Sequence, residues 1–269
     1  DARSALMEHP PDFQAVCMHY SRLCLLFLLA CQPEVQKEPE EGSLCPREAA
    51  TPGPGDSNGD GAVDMADVLV ILRAVAEGGP APACTAGVDL IPDGKVELDD
   101  AFSLLLYLYE GSFSLPETDC TGSAALPVPA CVQAEARLVE EERAVWVQLR
   151  SAAAIEAWSL SLQGCTITSA TTDGTLAASV ALGGLRDLGY DATVVTDAGV
   201  VSAVLLDDLE PVALPTDTWN PVLQLQVQEC CTLKLGTLQG FGQPVENLLV
   251  IDGAAYPLPA LEAKVGCGG

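Results

Sequence analysis

The amino-acid sequence predicts a multidomain fold, in which a small α-helical domain of two loop-helix units precedes an all-β sandwich. An acidic segment followed by an apolar helix at residues 56–67 recurs at residues 89–100, which predicts the loop-helix units. After residue 131, short β-type runs alternate with clusters of Gly, Asp and Pro, the pattern of a sandwich. A chain of 269 residues is long enough for two domains of ordinary size.

The charge of the chain excludes several classes of partner. Asp and Glu number 38 and Lys and Arg number 12, which gives a formal net charge of −26 at pH 7. Such a chain repels the phosphates of nucleic acids and anionic lipid surfaces. We therefore expect no nucleic-acid binding, and we expect the carboxylates to be solvated or held by cations.

An export signal is predicted near the start of the chain. A basic residue, Arg22, precedes the apolar run of residues 23–30, and Cys31 follows. This run is too short to span a bilayer, which takes about 20 residues, but it has the parts of a signal peptide. A buried helix is the alternative, and the polar residues after Cys31 argue against it.

The end of this run, Leu-Leu-Ala-Cys at residues 28–31, resembles the lipobox of bacterial lipoproteins, in which the cysteine is lipidated. We therefore predict a signal peptide at residues 18–30 and lipidation of Cys31. The expected location is the cell envelope or cell surface, with secretion as the alternative. Residues 1–17 fit no part of this scheme.

Export would determine the chemistry of the mature chain. Both histidines, His9 and His19, precede Cys31. Without them there is no imidazole base and no histidine-bound zinc. An even number of cysteines follows Cys31, which predicts disulfides in an exported protein. These are Cys45, Cys84, Cys120, Cys131, Cys165, Cys230, Cys231 and Cys267.

Residues 31–54 are predicted to be a flexible tether. The segment is rich in Glu and Pro and has no apolar period. Such a composition cannot bury enough apolar surface to fold by itself.

The first acidic segment, residues 56–67, has the spacing of an EF-hand-type calcium loop. Oxygen-bearing side chains occupy positions 1, 3, 5, 9 and 12, and Gly61 occupies position 6. Calcium takes six to eight oxygen ligands, so its loop must offer one at about every second residue. An Asx-rich turn is the alternative, but the second copy favours calcium. The predicted ligands are Asp56, Asn58, Asp60, Asp64 and Asp67, with the carbonyl of Ala62.

The second acidic segment, residues 89–100, is predicted to bind calcium more weakly or not at all. It keeps the acids at positions 1, 5, 9 and 12, but Ile91 stands at position 3 and offers no oxygen. One ligand is therefore lost. The remaining predicted ligands are Asp89, Asp93, Glu97 and Asp100, with Lys95 at position 7, where the backbone carbonyl binds.

The segments before the loops distinguish these units from EF-hands, in which a helix enters the loop. Residues 51–55 and 78–82 are rich in Pro and Gly, which oppose helix. With Asp at position 12, residues 55–122 resemble the dockerin family. The apolar stripes of the two helices should pack together. They consist of Val68, Leu69, Ile71, Leu72 and Val75, and of Phe102, Leu104, Leu105, Leu108 and Tyr109.

The resemblance implies a cohesin-like protein domain as the partner. In dockerins, loop positions 10 and 11 help to set partner choice, and here they are Met65 and Ala66 in one loop and Leu98 and Asp99 in the other. We predict partner contacts at these four residues. Neither pair is the Ser-Thr of cellulosomal dockerins, which argues against a cellulosomal partner. The two pairs also differ from each other, which argues against a dual binding mode in which either repeat contacts the partner.

The C-terminal domain, residues 131–269, is predicted to be a cohesin-like, jelly-roll or immunoglobulin-like sandwich. The runs around Trp146 and Trp158 alternate as strands with one buried face do, and we expect their tryptophans in the core rather than on a carbohydrate-binding face. The predicted strands are residues 144–150, 157–163, 200–206, 222–228 and 248–252.

Three hypotheses about disulfide pairing follow from the positions of the cysteines. Cys84 and Cys120 follow the two helices at similar distances and are expected to pair. Residues Cys131 and Cys267 lie at the two ends of the sandwich and are expected to close it. The neighbours at 230 and 231 should reach different partners, because a ring between adjacent cysteines is strained.

The sequence favours a calcium-dependent binding and assembly protein of the cell envelope. The alternative is a cohesin-like or carbohydrate-binding surface protein, with polysaccharide as a ligand and the calcium unit as a structural spacer. A glycoside hydrolase is disfavoured, because only 5% of the residues are aromatic and such enzymes need an aromatic-lined cleft. We therefore predict no catalytic residues.

Overall fold

A computed structural model describes residues 42–141, 144–175, 190–206, 214–238 and 243–267. The helices of these ranges are α1 (Met65–Ala76), α2 (Thr85–Val88) and α3 (Leu98–Leu105), and a π-helical turn, Leu106–Glu110, follows α3. The strands are β1 (Ser43–Leu44), β2 (Val132–Glu141), β3 (Ala144–Ser151), β4 (Ala157–Gln163), β5 (Ile167–Thr171), β6 (Tyr190–Thr196), β7 (Gly199–Leu205), β8 (Asn220–Val227), β9 (Cys231–Leu235), β10 (Leu248–Ile251), β11 (Ala254–Pro257) and β12 (Glu262–Val265).

The strands form two antiparallel sheets. The five-stranded sheet has the order β1-β2-β3-β8-β5, and the seven-stranded sheet follows the path β11-β10-β4-β7-β6, with β9 joined to β4 and β12 joined to β9. Neighbours in sequence pair as hairpins in β2-β3, β6-β7 and β10-β11. This architecture is consistent with the predicted β-sandwich.

The main hydrophobic core contains side chains from both sheets. Alternate residues of β3 (Val145, Val147, Leu149) and of β4 (Trp158, Leu160, Leu162) belong to it. All five predicted strands are present, and their ends differ from the prediction by two residues at most. Trp158 is fully buried, as predicted, but Trp146 is only half-buried. The prediction that Trp146 lies in the core is wrong, because its side chain alternates with the buried residues of β3.

The loop-helix units form a third layer on the seven-stranded sheet. α1 packs against α3, as predicted, and α1 also contacts β4 and β11. A second apolar cluster joins helical residues such as Leu69 to Val201 and Val250 of the sheet. The hydroxyls of Tyr109 and Ser159 form a hydrogen bond of 3.2 Å across the same boundary. The described residues of the predicted helical domain and of the predicted sandwich therefore belong to one compact unit.

Two members of the predicted apolar stripes are not buried. Val75 is 36% exposed and Phe102 is 40% exposed. The buried residues of α1 end at Leu72, so Val75, in the last turn, lies beyond the buried part of the helix. Phe102 is flanked by buried Ala101 and Ser103 but faces solvent itself.

The described part of the predicted tether is ordered within the sandwich. Ser43 and Leu44 pair with β2 as a short edge strand, and Cys45 forms a disulfide with Cys131. Arg47, two residues further on, is largely buried. The prediction of a flexible tether is therefore wrong from residue 42 on.

Eight cysteines of the described residues form four disulfides, which supports the prediction of an oxidised chain. Cys84 pairs with Cys120, as predicted. Cys230 and Cys231 reach different partners, also as predicted, namely Cys267 and Cys165. The expected pair of Cys131 and Cys267 is wrong, because Cys131 pairs with Cys45 at the edge strand β1 and Cys267 with Cys230.

No helix among the described residues is both long enough and apolar enough to cross a membrane. The predicted signal peptide and the predicted lipidation site, Cys31, lie outside the described residues.

Candidate functional site

The first loop is organised by its own acidic side chains. The carboxylate of Asp56 accepts hydrogen bonds from the backbone amides of Gly59 (2.7 Å), Asp60 (3.2 Å) and Gly61 (3.0 Å). Asn58 Oδ1 and Asp60 Oδ1 each accept the amide two residues later, at 2.9 and 3.0 Å. The three predicted ligands at positions 1, 3 and 5 therefore fold the chain around themselves as Asx turns do.

Asp67, at position 12, joins the two ends of this loop. Its Oδ1 accepts from the amides of Ser57 (2.6 Å) and Asn58 (3.2 Å), and its Oδ2 accepts from the amide of Asp64 (2.8 Å). Asp64 in turn accepts from the amide of Ala66 at 2.8 Å, so the two residues form a capping box at the start of α1. The start of the loop and the start of the helix are thus fixed by one fully buried carboxylate.

The second loop repeats this arrangement in a more exposed setting. Asp100 accepts from the amides of Leu90 (2.7 Å), Ile91 (2.9 Å) and Glu97 (2.8 Å), and Asp89 accepts from the amides at positions 5 and 6. The side chain of Ile91 is 44% exposed and supplies no oxygen.

Two of the four acidic side chains predicted to bind calcium in the second loop are exposed, whereas Asp89 is half-buried and Asp100 is buried. Asp93 is exposed, and Glu97 is exposed and pairs with Lys95 Nζ at 3.3 Å. The prediction of a weaker second site remains a prediction.

Arg47 is a functional residue that sequence reasoning missed. Its guanidinium forms an ion pair with Asp64, lies 3.6 Å from Asp60, and also pairs with Glu246 of the sandwich at 2.6 Å. Arg47 therefore supplies a positive charge to the first loop and connects the loop to the segment before β10. No local pattern around Arg47 signals these contacts, because Glu246 is 199 residues away.

Burial and neighbouring negative charge raise the pKa values of carboxylates in the first loop. Burial raises the pKa of Asp56 and of Asp64, and burial together with the charge of Asp64 raises the pKa of Asp67 well above its usual range. Burial alone would lower the pKa of the Arg47 guanidinium, but the charges of Asp64 and Asp60 raise it. Because these shifts reflect unfavourable burial of ionised carboxylates, a nearby divalent cation would stabilise the ionised forms.

The first loop offers donor types that fit calcium. Within the described ranges, no group of three or more His, Cys, Asp or Glu side chains is arranged to hold a metal ion. Asp56 and Asp67 both accept hydrogen bonds from backbone amides, and Arg47 lies within ion-pair distance of both Asp64 and Asp60. The side chains at positions 1, 3, 5, 9 and 12 and the carbonyl of Ala62 remain the predicted calcium ligands, and all are hard oxygens of the kind calcium prefers.

The predicted partner-binding residues divide between two environments. Met65 and Ala66 are fully buried at the start of α1, so the prediction that they contact a partner is wrong. They are enclosed because the first unit packs against the sheet. Leu98 is half-exposed and Asp99 is exposed at the start of α3.

No family model matches this chain, and no curated protein matches it. The resemblance to dockerins therefore rests on the loop pattern alone.

Proposed function

We propose that this protein is a calcium-dependent binding module of the cell envelope. In this proposal the first loop-helix unit is built into the sandwich, and the second presents a surface to a cohesin-like protein partner. One observation carries the proposal: two units with the same hydrogen-bond pattern differ in burial. Residues 65–72 of the first unit are all buried, whereas Leu98 and Phe102 of the second are partly exposed or exposed.

The exposed surface of the second unit suits a protein partner. Leu98 and Phe102 are four residues apart on α3, so their side chains lie on one face of the helix, and half-buried Leu106 is spaced four residues further on. Asp99 adds a negative charge beside this stripe. An apolar helical stripe with an acidic margin is the kind of surface that docks in a hydrophobic groove with a basic rim.

Calcium would act on the first unit. Binding by the predicted ligands of the first loop would offset the negative charge of the loop and would stabilise the attached helix layer. The four disulfides support an oxidising location outside the cytoplasm.

The calcium part of the proposal is tested by calorimetric titration of residues 32–269. Three chains are compared: the parent, a variant with Asp56→Ala and Asp60→Ala, and a matched variant with Asp89→Ala and Asp93→Ala. We expect one tight site in the parent, its loss in the first variant and its retention in the second. No calcium binding by the folded parent, or equal binding by both variants, would contradict the proposal.

The partner part is tested by photo-crosslinking in envelope preparations. A benzoylphenylalanine at position 102 is compared with one at position 195, because Val195 is equally exposed, at 39%, but lies on β6. We expect a crosslinked product from position 102 that disappears when calcium is chelated. The same product from both positions, or one that persists in chelator, would argue against calcium-dependent docking on α3.

A further inference from the structure

We propose that the outer face of the five-stranded sheet binds a neutral oligosaccharide at a site centred on Trp146. The proposal does not depend on calcium binding. The helix layer covers the other sheet, so this face lies on the opposite side of the sandwich from the two loops.

The site is a depression between β3 and β8. Since Val145 and Val147 of β3 point into the core, Trp146 between them points outward. Gln224 of β8 lies directly across from Trp146, and Gln226 follows on the same face of β8. The depression has a volume of about 530 Å³ and is lined by Glu141, Ala144, Trp146, Gln224 and Gln226.

Ala144 makes room beside the indole ring. It lies two residues before Trp146 on β3, so both side chains belong to the same face of the strand. A larger residue at this position would fill the space next to the ring. The side chain of Trp146 therefore lies next to an open volume.

The polar groups of the depression are free to bind a ligand. Among the described residues, no side-chain hydrogen bond involves the amides of Gln224 and Gln226 or the indole N–H of Trp146. Two amides and one indole offer both donors and acceptors. Each can therefore bind a hydroxyl group without breaking an existing contact.

The neighbouring polar and aromatic groups of this face are already engaged. Gln148 accepts two hydrogen bonds from Arg137, at 2.9 and 2.6 Å. The guanidinium of Arg137 lies 4.0 Å from the ring centroid of Trp219, and that of Arg150 lies 5.0 Å from it. Trp219 is thus covered by cations, which leaves Trp146 as the available aromatic ring of this face within the described residues.

An aromatic ring beside unpaired amides matches the chemistry of a sugar. A pyranose ring presents C–H groups on one face, which pack on the electron-rich face of an indole, and hydroxyls at its edge, which need donors and acceptors. A large apolar protein surface would not match, because Trp146 is the one large apolar side chain that lines the depression. Glu141 at the rim and the net charge of −26 repel anionic polymers, so the ligand is a neutral glycan.

The test is affinity electrophoresis under native conditions. Gels contain soluble glucan, xylan or mannan as neutral probes, or polygalacturonate as the anionic probe. The parent chain is compared with Trp146→Ala and Gln224→Ala, and with Trp219→Ala as the matched control. Each lane is run with calcium and with chelator, and folding of each variant is checked by near-ultraviolet circular dichroism.

We expect retardation of the parent by at least one neutral glycan, with and without calcium. Trp146→Ala should weaken binding by roughly tenfold or more, as for an aromatic anchor, and Gln224→Ala by a smaller factor. Trp219→Ala should retain binding. Lack of retardation by every neutral glycan, retardation by polygalacturonate alone, or binding unchanged in both Trp146→Ala and Gln224→Ala would overturn the proposal. Loss of retardation on chelation would also overturn it, whatever the outcome of the calcium titration.

Discussion

Asp67 and Asp100 are equivalent residues in different surroundings. Each is the twelfth residue of its loop, and each accepts three backbone amides. The amides bound by Asp67 are buried, whereas two of those bound by Asp100 are only partly buried. The same hydrogen bonds should therefore matter more in the first loop, because unpaired amides there cannot reach water.

We expect Asp67→Ala to lower the free energy of unfolding by about 2 to 3 kcal/mol, because buried amides are left without acceptors. The matched change Asp100→Ala should cost only about 1 kcal/mol, since water can replace the lost carboxylate. Equilibrium denaturation in chelator, without reductant, measures both values. Equal losses in the two variants would contradict the difference in burial.

Glu156 and Arg73 form a largely buried ion pair between the start of β4 and α1. Gly253 donates its amide to the same carboxylate at 3.3 Å. Burial raises the pKa of Glu156, and the charge of Arg73 only partly opposes this. The folded state therefore binds the proton of Glu156 more tightly than the unfolded state does.

The pH dependence of stability should reveal this shift. The ordinary pKa of a glutamate is 4.5. As the pH rises above this value and through the raised pKa of Glu156, the parent should lose stability relative to a Glu156→Gln variant. Below 4.5 the difference between the two chains should be constant. Thermal unfolding at a series of pH values measures the difference, and a difference that grows in the opposite direction would refute the burial argument.

The sequence predicts the local turns of the first loop better than it predicts the contacts of the loop with distant residues. Asx turns are local, so the spacing of Asp56, Asn58 and Asp60 was sufficient to predict a folded loop. The contacts of Arg47 join segments distant in sequence, and its surroundings resemble a tether. The engagement of Asp64 by Arg47 could therefore not be predicted.

At the scale of elements, α1 is the link between the loops and the sandwich. Its residues 65–72 are all buried, while Val75 in its last turn is exposed. The first two turns of the helix thus contribute to the core of the protein, whereas the third turn contributes little to it.

Leu69→Ala should destabilise the fold by about 3 kcal/mol, because a fully buried leucine is removed from a packed interface. Val75→Ala, on the same helix, should change stability by less than about 0.5 kcal/mol. Chemical denaturation measures both, and similar losses would mean that α1 is not anchored by its first half.

The strands that were predicted are those with a clear apolar pattern, and β2 was missed. Its outward residues Gln133, Glu135 and Arg137 are polar, and its inward residues include two alanines, so the period of two is weak. Pairing with β3 along its length determines its structure. This tertiary contact overrides the low propensity of the segment.

At the scale of the whole molecule, the third layer was not predicted, although the sequence contains a signal for it. The prolines at residues 127 and 129 lie between the predicted helical domain, residues 55–122, and the predicted sandwich, residues 131–269. Residues 200–206, however, are almost continuously apolar, and a strand of this kind is buried on both faces. In the structure β7 contributes Val200 and Val204 to the sandwich core and Val201, Ala203 and Leu205 to the contact with the helices.

The disulfides determine how tension would pass through this protein. A pull applied before Cys45 and after Cys267 crosses from Cys45 to Cys131, runs along the backbone to Cys165, and then crosses through the bonds at Cys231 and Cys230. Both loop-helix units lie outside this route.

Force spectroscopy should therefore measure a contour length of about 140 Å between Cys45 and Cys267 in the oxidised chain, at roughly 3.6 Å a residue with the three disulfide crossings included, against about 800 Å after reduction. A longer extension under oxidising conditions would contradict the pairing of the cysteines. When an oxidised chain is stretched between its ends, the backbone of the two loops therefore carries no tension.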